Sequence, residues 1–340
     1  MLVNLHDSFS MASKLTPKRV ANAFEIWSSY HHSKKFGKSK IRGLPISIAI
    51  EPTTSCNLRC PECPSGLRSF TRPTGRLKID LLKNIIEEVS DHALYLTFYF
   101  QGEPYLNPRF LEMIEIANQH NIYTTTSTNA HFLNDQNAKK TVESGLNRLI
   151  ISIDGASQAT YESYRKGGKL SKVLEGTQNV LKWRRKLKAK SPRVVWQFLV
   201  VKPNEHEIPR IKRLSKKYGV DKIIFKTAQI YNYQNGSDLI PSNDRYSRYR
   251  ENKNGTYSIK SELENTCWKM WQSCVITWDG QVIPCCFDKD ANHSMGSVSE
   301  KSFKEIWFSS PYQHFRNAVL TSRSKIEICK NCTEGLKVWA

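Results

Sequence analysis

The chain has 340 residues, 39% of them hydrophobic, which is enough for one large domain with a sizeable core and a small appendage. No apolar run approaches the roughly 20 residues needed to span a bilayer, and the N-terminal stretch MLVNLHDSFSMASKL lacks a charged region followed by an apolar one. Membrane insertion and a secretory signal are thus not expected, and the reading is a cytoplasmic protein. The net charge is +20, with basic residues gathered in 34–42, 182–193 and 212–217; such runs form solvated helix faces or attract something acidic.

In chain order, residues 1–44 read as a basic helical extension. Val20, Phe24 and Trp27 fall at helical spacing, and the stripe is expected to dock on the main domain. From residue 45 the pattern alternates. Strands are expected at 46–51, 94–100, 122–128, 148–153, 193–201 and 222–227. Helices are expected at 79–89, 107–120, 135–143, 170–187 and 205–217. Six strands with helices between them argue for parallel βαβ units. Six units rather than eight predict an α/β fold of partial (β/α)6 TIM-barrel type over 45–228. Residues 229–266 are polar, lack periodicity and read as a linker or substrate loop. From Cys267 to the end, a small C-terminal domain is expected. It opens on a hairpin, 274–278 and 281–286, turning at Asp279-Gly280. Short helices follow near 303–308 and 312–319.

The nine cysteines fall in two groups, three between 56 and 63 and six after 266. Disulfides do not fit a reducing compartment, and two tight groups separated by a cysteine-free body predict two metal sites. Cys56, Cys60 and Cys63 have the spacing C-x3-C-x2-C directly after the first strand, where α/β folds place their active sites. A structural zinc site needs four ligands, and no fourth Cys or His lies nearby. Three thiolates suit a cubane cluster with one open iron, which can bind the amino and carboxylate groups of a methionine moiety.

The stretch EPTTSCNLRCPECPSG resembles the cluster-binding loop of radical S-adenosylmethionine (SAM) enzymes. Further along, Gln101-Gly102-Glu103-Pro104 resembles that family's Gly-Gly-Glu-Pro motif, whose backbone meets the SAM amino group. Thr126-Ser127-Thr128-Asn129 ends the third strand, where related enzymes read the sugar. Ser152-Ile153-Asp154-Gly155 ends the fourth, and Tyr164-Arg165 follows. The resemblance implies that Cys56, Cys60 and Cys63 hold a catalytic [4Fe–4S] cluster. It also implies that Gly102, Glu103, Ser127, Asn129, Ser152, Asp154 and Arg165 form the SAM site, with Ser152 on the ribose or carboxylate. The Arg165 fork is expected to pair with the carboxylate. Glu62 stands where many relatives carry an aromatic against the adenine, and is counted with the cofactor-binding residues.

The tail, with Cys267, Gly280, Cys285, Cys329 and Cys332, resembles the SPASM/Twitch extension of the same family. Its shorter form implies one auxiliary [4Fe–4S] cluster, on Cys267, Cys285, Cys329 and Cys332. On a strand, Cys285 and Cys286 would point to opposite faces, so Cys286 is expected to be spare and Cys274 to lie within the hairpin. Asp288 reads as a surface turn acid.

The resemblance implies reductive cleavage of SAM to a 5′-deoxyadenosyl radical that takes hydrogen from a substrate. A peptide or protein side chain comes first, a sugar-like alcohol or other small molecule second. An acidic flavodoxin or ferredoxin would be the electron donor. A zinc-dependent nucleic-acid-binding protein is the distant alternative, and it leaves the strand-end series unexplained.

Overall fold

The computed structural model describes residues 5–260 and 263–332. The outermost residues of the N-terminal extension and of the C-terminal domain, and two in the 229–266 segment, lie outside the described residues. Two helices open the chain, α1 (Leu5–Ala12) and α2 (Pro17–Phe36). The alternating body follows as β1 (Ser47–Ile50), α3 (Pro64–Leu67), α4 (Ile79–Val89), β2 (Tyr95–Thr97), α5 (Phe110–Gln119), β3 (Tyr123–Thr128) and α6 (Asp135–Glu143). It continues through β4 (Arg148–Ser152), α7 (Gln158–Tyr164), α8 (Leu170–Lys186), β5 (Arg193–Val200), α9 (Ile208–Tyr218) and β6 (Lys222–Thr227). Next come β7 (Tyr249–Glu251) and β8 (Tyr257–Ile259), then α10 (Lys269–Gln272), β9 (Ser273–Ile276), β10 (Val282–Ile283), α11 (Phe303–Phe308) and α12 (Ser310–Ser322).

The six expected βα strands form one parallel series, β1 to β6, as an open sheet. The C-terminal hairpin is built into that sheet. β9 pairs in parallel with β1, Ser47 opposite Ser273, and β10 pairs antiparallel with β9, giving eight strands in the order β10-β9-β1-β2-β3-β4-β5-β6. Strands buried on both faces read as continuous apolar runs, and β4 and β5 do so. The 229–266 segment is less featureless than its composition suggests. It carries the two-stranded antiparallel β7–β8 unit, which its polar residues conceal.

Helix α2 docks on the opposite face from the one expected. Val20, Phe24 and Trp27 are 51%, 65% and 52% exposed, while Arg19, Asn22, Ile26, Ser29 and Ser33 are buried. Ile26 and Tyr30 pack on side chains of the core, but the polar residues of the inward face meet backbone. The Arg19 guanidinium donates to the carbonyls of Ser90, His120 and Asn121, in the turns just past α4 and α5. Such carbonyls are left without partners when a helix ends. Asn22 bonds both the N–H and the C=O of Leu44, at 2.7 and 2.8 Å. Ser29 and Ser33 accept from the N–H groups of Arg42 and Lys40. The helix is therefore a template for the segment that leads into β1.

This arrangement sets a test. In Asn22→Leu, the buried N–H and C=O of Leu44 lose their partners, and an orphaned polar group costs about 1–3 kcal/mol. Urea unfolding should show a loss of that order, whereas Phe24→Ser should stay within about 0.5 kcal/mol, as for an exposed position. Equal effects would mean that the apolar stripe carries the docking.

Candidate active site

The strand ends of β1 to β4 converge on one cavity of about 110 Å³. Its lining includes Cys56, Cys60, Cys63, Gly102, Glu103, Ser127, Asn129, Ser152 and Arg165, together with Tyr99 and Phe100. Nine residues singled out in the sequence thus share one space. The cysteine loop is closed by α3, whose Gly66 lies so near Cys60 that a Cβ there would meet the Cys60 N and O at 2.5 Å. A second clamp comes from the 101–104 turn. Gly102 has φ +73°, and a Cβ on it would collide with the Thr53 carbonyl. Its N–H donates to Ser65 Oγ at 2.8 Å, and the Glu103 N–H donates to the Ser55 carbonyl at 2.8 Å.

Glu103 is buried, and its carboxylate accepts from Thr128 Oγ1 at 2.6 Å and from the Asn129 N–H at 2.7 Å. Burial nonetheless pushes its pKa up to about 7, against those donors. Asn129 in turn donates to Asn57 Oδ1 at 2.7 Å, inside the cysteine motif. Asp154 is buried and does not line the cavity. Its carboxylate accepts from Arg165 Nε and from the Leu199 N–H at 2.7 Å. It therefore aims the guanidinium, whose Nη1 lies 3.8 Å from Cys60 Sγ. Glu62 also stands outside the cavity lining; its Oε2 accepts from the Tyr231 N–H at 2.9 Å.

Cys267, Cys329 and Cys332 lie around the buried Arg323, whose Nη2 lies 3.6 Å from Cys332 Sγ and whose Nη1 donates to the Thr266 carbonyl at 2.6 Å. The charges of Cys267, Cys329 and Cys332 all act on Arg323. Burial pushes the Cys329 thiol up to about 11, with Arg323 opposing that shift and Cys332 and Cys267 adding to it. Cys285 feels Cys267 as well, while its shift is led by a hydrogen bond with Cys286. That bond corrects one expectation. β10 ends at Ile283 and the chain turns after Pro284, so the adjacent cysteines do not alternate across a strand. Cys274 sits on β9, buried, where the charges of Arg316 and Tyr312 reach it. Asp288 is buried too, not a surface acid, and accepts from the Asn292 and His293 N–H groups.

The two sites are fastened together. Arg72, just past the first cysteine loop, makes a bidentate pair with the buried Glu51 at 2.6 and 2.9 Å and donates from Nε to the Lys289 carbonyl. Thr71 bonds Asp290, and the Trp278 indole donates to the Pro73 carbonyl. The 229–266 segment bridges the cysteine motifs. Beyond Tyr231 on Glu62, Asn331 donates to the Ile230 carbonyl at 2.7 Å and accepts from Tyr249 Oη at 2.9 Å.

Residues 50–215 match the radical SAM superfamily, and residues 267–333 match SPASM, an iron–sulfur cluster-binding domain. The chain is a radical SAM enzyme with a C-terminal SPASM domain. Its curated relatives include the tungsten-containing aldehyde ferredoxin oxidoreductase cofactor-modifying protein of Pyrococcus furiosus, 26% identical over 84% of this chain and 86% of that one. Another is the PqqA peptide cyclase of Gluconobacter oxydans, 24% identical over 87% and 84%. Among solved structures, Streptococcus suis SuiB bound to S-adenosylmethionine aligns with TM-score 0.64 at 13% identity, over 90% of this chain and 75% of that one. It shares the fold.

With the radical SAM domain come SAM and a [4Fe–4S] cluster, and with the SPASM domain auxiliary iron–sulfur binding. The donor chemistry fits both. Three thiols ring a cavity with a guanidinium at its wall, and the charges of three more, Cys267, Cys329 and Cys332, reach a second guanidinium. Cluster binding requires those thiols to give up their protons. The zinc-dependent nucleic-acid reading gives way to the family match. Among the described residues no helix is long and apolar enough to cross a membrane.

Glu103 gives this subsection's prediction. Its pKa is about 7 in the fold and about 4.3 when unfolded. Between those values the folded chain keeps a proton that the unfolded chain has released. Stability from this group is therefore full below the lower value and falls as pH rises to the upper one. In protein free of cluster and SAM, wild type should lose on the order of 3 kcal/mol relative to Glu103→Gln between pH 4 and pH 8. Parallel denaturation curves for the two proteins across that range would refute the assignment.

Proposed function

We propose that this radical SAM enzyme abstracts hydrogen from a side chain of a peptide or protein. One observation carries the reading: a second cavity, of about 310 Å³, shares Tyr99 and Phe100 with the three-cysteine cavity and reaches Cys285 and Cys286 of the SPASM domain. A substrate group seated there would lie between the site that generates a radical and a group able to take an electron away. The peptide preference is supported by the PqqA peptide cyclase, a relative matched over most of both chains. A cofactor or other small molecule is the second reading, supported by the Pyrococcus furiosus cofactor-modifying relative.

In this reading the residues divide the work. Cys56, Cys60 and Cys63 would hold the cluster, which when bound and reduced would supply the electron for reductive cleavage of SAM. The Gly102 backbone receives the amino group of the methionine moiety. Arg165, aimed by Asp154, receives its carboxylate, and Ser127, Asn129 and Ser152 receive the ribose. Glu103 braces the third strand end against the 101–104 turn. Glu62 anchors the 229–266 segment. Cys267, Cys285, Cys329 and Cys332 would hold the auxiliary [4Fe–4S] cluster, which would supply an electron-accepting group beside the second cavity. The basic surface serves an acidic flavodoxin or ferredoxin as donor, in the cytoplasm.

Reduced, reconstituted protein should form 5′-deoxyadenosine without substrate, and Cys63→Ala should abolish it; normal turnover in that variant would remove the proposal. A peptide encoded beside the gene should speed the reaction and gain a mass change of its own, whereas acceleration by small molecules alone would favour the second reading. Two cubane clusters hold eight irons, so alanine at Cys267, Cys285, Cys329 or Cys332 should leave about four per chain. Alanine at Cys274 or Cys286 should leave about eight. Loss of four irons in Cys286→Ala but not in Cys285→Ala would exchange those two roles. Reduction by an acidic donor should slow as salt rises, since exposed charges are screened over about 8–10 Å at ordinary ionic strength. A rate independent of salt would leave the basic faces without a donor.

A further inference from the structure

Helix α2 turns its apolar stripe outward and is fastened in that position. Arg19 grips the carbonyls of Ser90, His120 and Asn121, Asn22 binds the Leu44 backbone, and Ser29 and Ser33 accept from the backbone of Arg42 and Lys40. Rolling Val20, Phe24 and Trp27 inward would break all of these bonds. The exposed rings form a row. Phe24 stacks on Trp27 with centroids 5.9 Å apart, and Trp27 meets His31 at 4.6 Å. Leu15 and Phe36, at the two ends of the helix, are exposed as well. Beyond the row the charge is of one sign. Lys34, Lys35, Lys38, Lys40 and Arg42 are all exposed, and the sequence from 34 to 42 contains no acid. Glu25 is the one acid in the sequence of α2. Apolar surface held in water is costly unless something covers it.

We infer that the outer face of α2 rests on an anionic lipid surface, with Phe24 and Trp27 entering the headgroup layer and the cations of 34–42 meeting the lipid charges. Aromatic rings beside lysines suit that boundary, where indole rings settle and each cation near an anionic surface adds to binding. Lying on a membrane in this way needs no spanning helix. The charge decides against a second copy of the chain, since two such faces would set the same five cations against one another. The placement fits as well. Arg19 anchors the helix in the turns that lead into β2 and β3, whereas the cysteine loop follows the far end of β1, which runs parallel to β2. A lipid surface under the stripe therefore leaves the strand ends that carry the chemistry uncovered.

Vesicle binding tests this. Reconstituted full-length protein is mixed with vesicles of phosphatidylcholine alone, and of three parts phosphatidylcholine to one part phosphatidylglycerol, and sedimentation gives the bound fraction. Binding to the mixed vesicles, weakening as salt rises, is the expected result. Phe24→Ser combined with Trp27→Ser keeps the net charge of +20 and should lower the partition coefficient at least about tenfold. Phe24→Leu combined with Trp27→Phe should keep it. Lys34→Gln, Lys35→Gln and Lys38→Gln together should lower it by about tenfold or more, whereas Lys202→Gln, Arg250→Gln and Lys253→Gln together should leave it within about twofold. Both aromatic positions are more than half exposed, so an unchanged urea midpoint separates lost binding from lost fold. Wild type that ignores the mixed vesicles overturns the inference. So does binding that survives the paired Ser variant, or that falls equally with either set of cations, since net charge alone would then hold the protein on lipid. A dimer in lipid-free solution that the paired Ser variant disperses, without vesicle binding, would give the stripe to a second copy. Flavodoxin binding lost in that variant, again without vesicle binding, would give it to an acidic protein; either result overturns the lipid assignment.

Discussion

The buried pair of Glu51 and Arg72 joins three parts of the molecule that lie far apart in the chain. Glu51 directly follows the first strand, Arg72 follows the cysteine loop, and the Trp278 N–H on the C-terminal hairpin donates to the same carboxylate. Burial works against the charged carboxylate, and the guanidinium opposes that effect. A buried pair of this kind gains little over a hydrophobic substitute, but removing one partner leaves the other uncompensated, at about 3–5 kcal/mol. Its value here is geometric. The two planar groups fix the loop bearing Cys56, Cys60 and Cys63 against the strand that points at it, and they fix the hairpin beside both.

From that junction the site extends through residues that are not themselves ligands. Glu62 and Asn331 each sit inside a cysteine motif, and each holds the 229–266 segment at adjacent residues, Tyr231 and Ile230. The segment is therefore a strap across both motifs. Lys289 repeats the pattern from below, with its side chain on Tyr231 and its carbonyl on Arg72. Position within a motif decides what can be reached, even where the chemistry is carried by the cysteines alone.

Much of the fold was legible because period and punctuation agreed. Ile79–Val89, Asp135–Glu143 and Lys222–Thr227 were read with their observed ends. The strand ends that build the site were legible for the same reason. The misreadings share a cause, a local rule outweighed by backbone. In α2 the apolar stripe pointed to docking, but Asn22, Ser29 and Ser33 satisfy a neighbouring chain segment, and those bonds have no signature at helical period. At Cys285 and Cys286 alternation was assumed past Pro284, where the ladder has already stopped. β7 and β8 were missed because they are three residues each and bury little more than Tyr249, too short a pattern to read as strands. The roles of Glu62, Asn331 and Lys289 depend on contacts across 82 to 217 positions of sequence, which no spacing rule encodes.

The pairing of β9 with β1 bears on how the molecule comes into being. Ser47 has Ser273 as its ladder neighbour, and nothing nearer in the chain takes that edge. Translation proceeds at about 5–20 residues per second. The first strand and the cysteine loop thus exist for on the order of ten seconds or more before their neighbour is made. During that interval Glu51 lacks Trp278, and the 68–75 loop lacks Lys289 and Asp290. The nascent chain carries its three thiols on an edge still open to the surroundings, and synthesis of the last quarter closes it.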